Sequence, residues 1–69
     1  MGNHVYKCIE VVGTSDTTIE NAIQVAIERA SSTIEEIRWF EVLETRGSVK
    51  ESRVEHYQVS LKIGFKLKD

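Results

Sequence analysis

The run Tyr57-Gln58-Val59-Ser60-Leu61-Lys62-Ile63-Gly64-Phe65-Lys66-Leu67 alternates without a break. Tyr57, Val59, Leu61, Ile63, Phe65 and Leu67 hold one parity; Gln58, Ser60, Lys62, Gly64 and Lys66 hold the other, with His56 before them. Successive side chains of a strand point to opposite faces, so this pattern is a long strand with one apolar face and one polar face. It extends from about Arg53 to Leu67, well beyond the usual five or six residues.

Upstream, Val49-Lys50-Glu51-Ser52 is polar enough for a hairpin turn, and a second long segment from about Ile34 to Ser48 precedes it. If Phe40 and Val42 join the apolar set Tyr57, Val59, Leu61 and Ile63, then Trp39, Glu41, Leu43 and Thr45 share the opposite face with His56, Gln58, Ser60 and Lys62. A turn centred near Lys50 and Glu51 sets Trp39 about opposite Lys62 and Gln58 about opposite Leu43. Trp39 and Gln58 then lie roughly four residues, or about 13 Å, apart along the sheet. A two-fold related copy could bring one subunit's Gln58 to the other's Trp39.

Toward the N-terminus, Thr17 and Glu20 have capping-box spacing. Ile19, Ala22, Ile23, Ala26, Ile27 and Ala30 follow as one apolar helical stripe, and Ser31-Ser32-Thr33 ends it. His4 to Val12 reads as a strand and Gly13-Thr14-Ser15-Asp16 as a turn. Cys8 with Val12 and Ile9 with Val11 make both faces of that first strand apolar, which points to a buried interface. The expected fold is α+β: one domain over residues 1–69, in β-α-β-β order, with a three-stranded antiparallel sheet wrapped around one amphipathic helix.

Sixty-nine residues give a small core, and such chains are usually supplemented by disulfides, a metal or oligomerisation. Cys8 is the only cysteine, and His4 and His56 are far apart with no Cys/His cluster for zinc. Oligomerisation is left. A lone cysteine, with no signal-peptide pattern and no membrane-spanning run, fits a cytoplasmic protein without a membrane partner. The net charge of -2, with acids and bases interspersed, argues against a nucleic-acid partner.

Trp39, the only tryptophan, sits on the face turned away from the helix. It is either an interface filler or a stacking platform for a flat heterocycle. Gln58 is either a solvated strand residue or, through an amide that both donates and accepts, a reader of a pyrimidine-like ring edge. Arg46 is either half of an ion pair or a forked phosphate contact. Glu41 and Glu44, three apart on a strand, are expected to face opposite ways, against paired acid/base work. His56 lacks a partner with motif context, Cys8 reads as an inert buried thiol, and Gly13 alone is no phosphate loop. No catalytic constellation stands out, and the chain is not expected to be an enzyme.

His4-Val5-Tyr6-Lys7, Glu10-Val11-Val12-Gly13-Thr14-Ser15, Arg38-Trp39-Phe40-Glu41-Val42, Glu44-Thr45-Arg46-Gly47 and His56-Tyr57-Gln58-Val59 resemble, in order and over nearly the whole chain, the dodecins. The resemblance implies a hollow homododecamer that binds flavins in pairs between symmetry-related tryptophans. It implies that Trp39 stacks on the ring, Gln58 hydrogen-bonds the ring edge, and Arg46 favours a phosphorylated flavin, so that FMN is the expected ligand, with riboflavin or FAD as the alternatives. Some members also carry coenzyme A. Cys8 departs from the bulky aliphatic expected there, a change expected to leave the flavin site untouched. The implied role is storage and photoprotective quenching of flavin; the alternatives are a flavoenzyme using the same site and a ligand-free structural oligomer.

Overall fold

The structure, a computed structural model, describes residues 3–68. Its elements are β1 (Tyr6–Ser15), α1 (Ile19–Ser31), β2 (Ile37–Lys50) and β3 (Arg53–Lys66). The strands form one open sheet in the order β1-β3-β2, with both pairings antiparallel. The β-α-β-β order expected from the sequence is the one observed.

β3 is the central strand, which explains its clean alternation. Val59, Leu61 and Ile63 are fully buried and close with Ala22 and Ala26 of α1 into the core. Ile9 and Val11 of β1 and Ile19, Ile23, Ile27 and Ala30 of α1 pack around that centre. The helix comes closest to the sheet at Gly13, where a Cβ would stand 2.2 Å from the Ala22 carbonyl oxygen and 2.9 Å from the Ala26 Cβ. Gly13-Thr14-Ser15 therefore belongs to β1, not to the turn expected there: the glycine makes room for a helix.

The helix start also moves. Thr18, not Thr17, is the N-cap, and its hydroxyl accepts from the Asn21 backbone N–H at 2.9 Å. The Ser15 hydroxyl accepts from the N–H groups of Thr17 and Thr18 and donates to Asn21 Oδ1 at 2.7 Å. A serine at the strand end thus takes the role expected of the Thr17–Glu20 box. At the other end of the chain, Lys68 Nζ lies 2.8 Å from Glu35 Oε1. The hydrogen bond to this ammonium, with its charge, holds the Glu35 carboxyl below the usual range.

β2 departs furthest from expectation, because its pairing with β3 shifts between Ile37 and Trp39, between Val42 and Glu44, and between Ser48 and Val49. Trp39 is opposite Gly64 rather than Lys62, and Gln58 is opposite Arg46 rather than Leu43. Leu43 is an extra residue in β2, and every side chain after it changes face. Thr45, opposite Val59, joins the helix side, while Glu44 and Arg46, opposite Ser60 and Gln58, join Glu41 on the outer side. Glu41 and Glu44 therefore share a face, contrary to the parity expectation.

α1 sits chiefly over β1 and β3. Phe40 and Val42 pair with Ile63 and Leu61 on the helix side of the sheet, yet remain 49% and 40% exposed. One chain thus leaves the helix side of its outer strand largely uncovered.

The hairpin closes through Glu51 and Ser52, with φ of 52° and 64°. Positive φ at both central residues marks the turn geometry that favours Asn-Gly. Left-handed backbone is unfavourable by roughly 1–2 kcal/mol at residues with a Cβ. Glu51→Asn with Ser52→Gly is expected to stabilise the chain by about 1 kcal/mol, read as a higher midpoint in chemical denaturation. An unchanged or lower midpoint would contradict this account of the turn.

Candidate functional site on the outer sheet face

The face away from α1 is ordered in rows by the strand register. Across β1, β3 and β2 these rows are Cys8–Gly64–Trp39, Glu10–Lys62–Glu41, Val12–Ser60–Glu44 and Thr14–Gln58–Arg46. Directly opposed residues on antiparallel strands share a face, so each row is a set of side-chain neighbours.

Trp39 is 40% exposed and leans from β2 onto β3. A Cβ built on Gly64 would lie 2.1 Å from indole Cε2, 2.3 Å from Cζ2 and 2.6 Å from Nε1. Cε2 is nearest, and two of the atoms bonded to it, Cζ2 and Nε1, are farther away. An approach along the ring edge would bring those flanking atoms in first, so the contact is with the ring's flat face. The indole lies over the β3 backbone with its other face turned away from the sheet. A glycine inside a strand weakens it and marks a close approach. That was the available sequence signal for Gly64, and parity reasoning alone passed over it.

Gln58 and Arg46 are direct cross-strand neighbours. They are six residues along β3 from Gly64, roughly 20 Å at the usual strand rise, rather than the four residues and 13 Å expected. One chain therefore gathers Gln58 with Arg46 but separates both from Trp39. A three-ring heterocycle lying on Trp39 cannot reach Gln58 of the same chain.

Cys8 is exposed on this outer face, in the row of Trp39, not buried as expected. Among the described residues the remaining polar groups form no catalytic arrangement. At the hairpin end Ser48 Oγ is 3.1 Å from His56 Nδ1, a proximity that only the cross-strand register reveals. Its hydroxyl donates to Glu55 Oε1 at 3.0 Å, which leaves the oxygen only to accept from the imidazole, the reverse of an activated nucleophile. Among the described residues no group of three or more His, Cys, Asp or Glu side chains comes together as a metal site. Among them, too, no helix is long and apolar enough to cross a membrane.

A small α+β chain with an aromatic platform on one sheet face and uncovered apolar residues on the other defines a small self-assembling binding protein. A family profile described as Dodecin matches residues 5–68, and the chain belongs to the dodecin family. It is 49% identical over 65 residues to the dodecin of Thermus thermophilus, covering 94% of each chain. The solved dodecin of Streptomyces coelicolor superposes with a TM-score of 0.94 at 45% identity, covering 100% of this chain and 99% of that one. A calcium dodecin of Mycobacterium tuberculosis is 34% identical over 64 residues, covering 93% of this chain and 90% of the relative. Dodecins are small binding and storage proteins that assemble as oligomers.

Proposed function

We propose that this dodecin binds and sequesters flavin, with Trp39 as the stacking surface and Gln58 and Arg46 supplied by a neighbouring copy. The observation that carries this reading is the indole held flat on Gly64 with one face open. A flat, rigid, half-exposed ring on a polar sheet face suits a planar heterocycle and little else. Solved structures of Thermus dodecin include one with a tryptophan replaced by phenylalanine and others with an arginine replaced by alanine. Trp39 is the only tryptophan here, and Arg46 the arginine beside the proposed ring reader. Indole in contact with an excited isoalloxazine quenches it by electron transfer, so a stored flavin would be dark and protected. A flavin enclosed between two indoles would leave no open ring face for a substrate, which favours storage over a flavoenzyme.

Gln58 reads the ring edge, which riboflavin and FMN share; Arg46 meets the phosphate, which riboflavin lacks. Gln58→Ala should weaken both ligands by a similar factor, because polar atoms on a buried ring are left unpaired. Arg46→Ala should weaken FMN and leave riboflavin nearly unchanged, and FMN affinity for the unmodified protein should fall with added salt. Fluorescence titration of both flavins against both variants tests this. Equal loss of both flavins in Arg46→Ala would return Arg46 to an ion-pair role.

Calcium is the competing ligand, since one relative is named for it. Glu10, Glu41 and Glu44 lie in adjacent rows of the outer face, two of them in a row with Lys62, whose ammonium disfavours a dication. Calorimetric titration of the purified protein with calcium chloride and with FMN decides between them. Tight calcium binding without flavin binding would overturn the flavin reading.

A further inference from the structure

We propose that Gly64 is a positioning residue: the side chain it lacks is what allows Trp39 to lie flat on the sheet with one indole face presented to a ligand. Its consequence for ligand binding rests on the flavin reading above; its consequence for the indole does not. The argument is steric. The nearest indole carbon is 2.1 Å from where a Cβ at position 64 would stand, and ordinary contact begins at 3.4 Å, so any larger residue forces the ring to rise by more than an ångström. The ring has no room to yield inward, because the β3 backbone is beneath it.

The neighbouring positions on the same face of β3 show what Gly64 spares the indole. Ser60 and Lys62 carry side chains, and either kind at position 64 would fill the space under the ring. Glycine is otherwise a poor choice for the interior of a central strand, where it has no side chain to pack and loses the most backbone freedom. At Gly64 that disadvantage is offset by the platform. A lifted or tilted ring would no longer present its face parallel to the sheet, and a planar ligand stacked on it would lose overlap.

The test uses the full chain in four forms: unmodified, Gly64→Ala, Trp39→Ala and the double variant. Trp39 is the sole tryptophan, so emission excited beyond the tyrosine absorption band reports on it alone. Gly64→Ala is expected to change that emission and to make it more easily quenched by acrylamide, as the ring leaves the backbone. FMN affinity should fall by roughly tenfold, the scale of a lost stack. In the Trp39→Ala background the added methyl meets no ring, so the same substitution should change FMN affinity by less than about twofold.

Unaltered emission and acrylamide quenching in Gly64→Ala would overturn the proposal. So would an equal loss of FMN affinity in the Trp39→Ala background, since the glycine would then act through the strand rather than through the indole. If Gly64→Ala fails to fold, the collision account requires the double variant to fold, and failure of both overturns it. If the unmodified protein binds no FMN while Gly64→Ala still alters Trp39 emission, the flavin reading falls and the positioning role of Gly64 stands.

Discussion

Trp39→Ala is expected to leave the oligomer assembled while weakening flavin binding at least about tenfold, since aromatic stacking is worth roughly 1–3 kcal/mol per ring. The indole touches the β3 backbone over a glycine and contributes nothing to the core of Val59, Leu61 and Ile63 on the other side of the sheet. Its removal therefore takes away a surface, not a support. Any flavin that still binds should regain fluorescence, because the quenching donor is gone. Two readouts make the test strict. Wild-type affinity with wild-type quenching would rule out the stacking role, and loss of the oligomer with loss of binding would show Trp39 to be interface filler. Trp39→Phe should fall between wild type and alanine, since a phenyl ring stacks but covers less of the heterocycle.

The fold was legible because its central strand advertises itself. The parity of Tyr57 to Leu67 names the buried face, and the helical stripe from Ile19 to Ala30 names what covers it. Parity failed where a strand gains a residue. Leu43 carries no mark of a bulge, and alternation along β2 therefore placed Thr45 outward and set Glu41 and Glu44 on opposite faces; Trp39 was put two positions from its partner Gly64 because the turn is centred on Glu51 and Ser52, one residue beyond Lys50 and Glu51. Gly13 misled for a different reason. A glycine before a helix reads as a turn, but here the absent side chain is used for close packing against Ala22 and Ala26. The identity of the candidate residues was visible in the sequence; which of them one chain brings together was not. Counted from the hairpin, Arg46 and Gln58 meet because of the shift between Ser48 and Val49, and the pairing that follows leaves both far from Trp39. The proposed site, composed of one chain's Trp39 and another's Gln58, would be formed between copies, and no reading of a single strand can measure its width.

Leu61 and Phe40 separate the stability of the chain from that of the assembly. Leu61 is 0% exposed, at the centre of the cluster formed by Val59, Ile63, Ala22 and Ala26. Leu61→Ala removes buried methylenes and leaves a cavity that a sheet cannot readily close, at a penalty on the order of 2–5 kcal/mol. A small domain has only about 5–15 kcal/mol in total, so this variant should unfold at markedly lower denaturant or fail to accumulate as soluble protein. Phe40 is the larger side chain and lies on the same side of the sheet, opposite Ile63, yet it is 49% exposed because α1 does not fully cover β2. Within one chain Phe40→Ala should therefore have the smaller effect. Its burial is completed, on this account, by a neighbouring copy, so the expected consequence is a shift toward smaller species in light scattering at low micromolar concentration. Equal stability loss in both variants with unchanged particle size would mean that Phe40 belongs to the chain's own core, and that the assembly closes over some other part of β2.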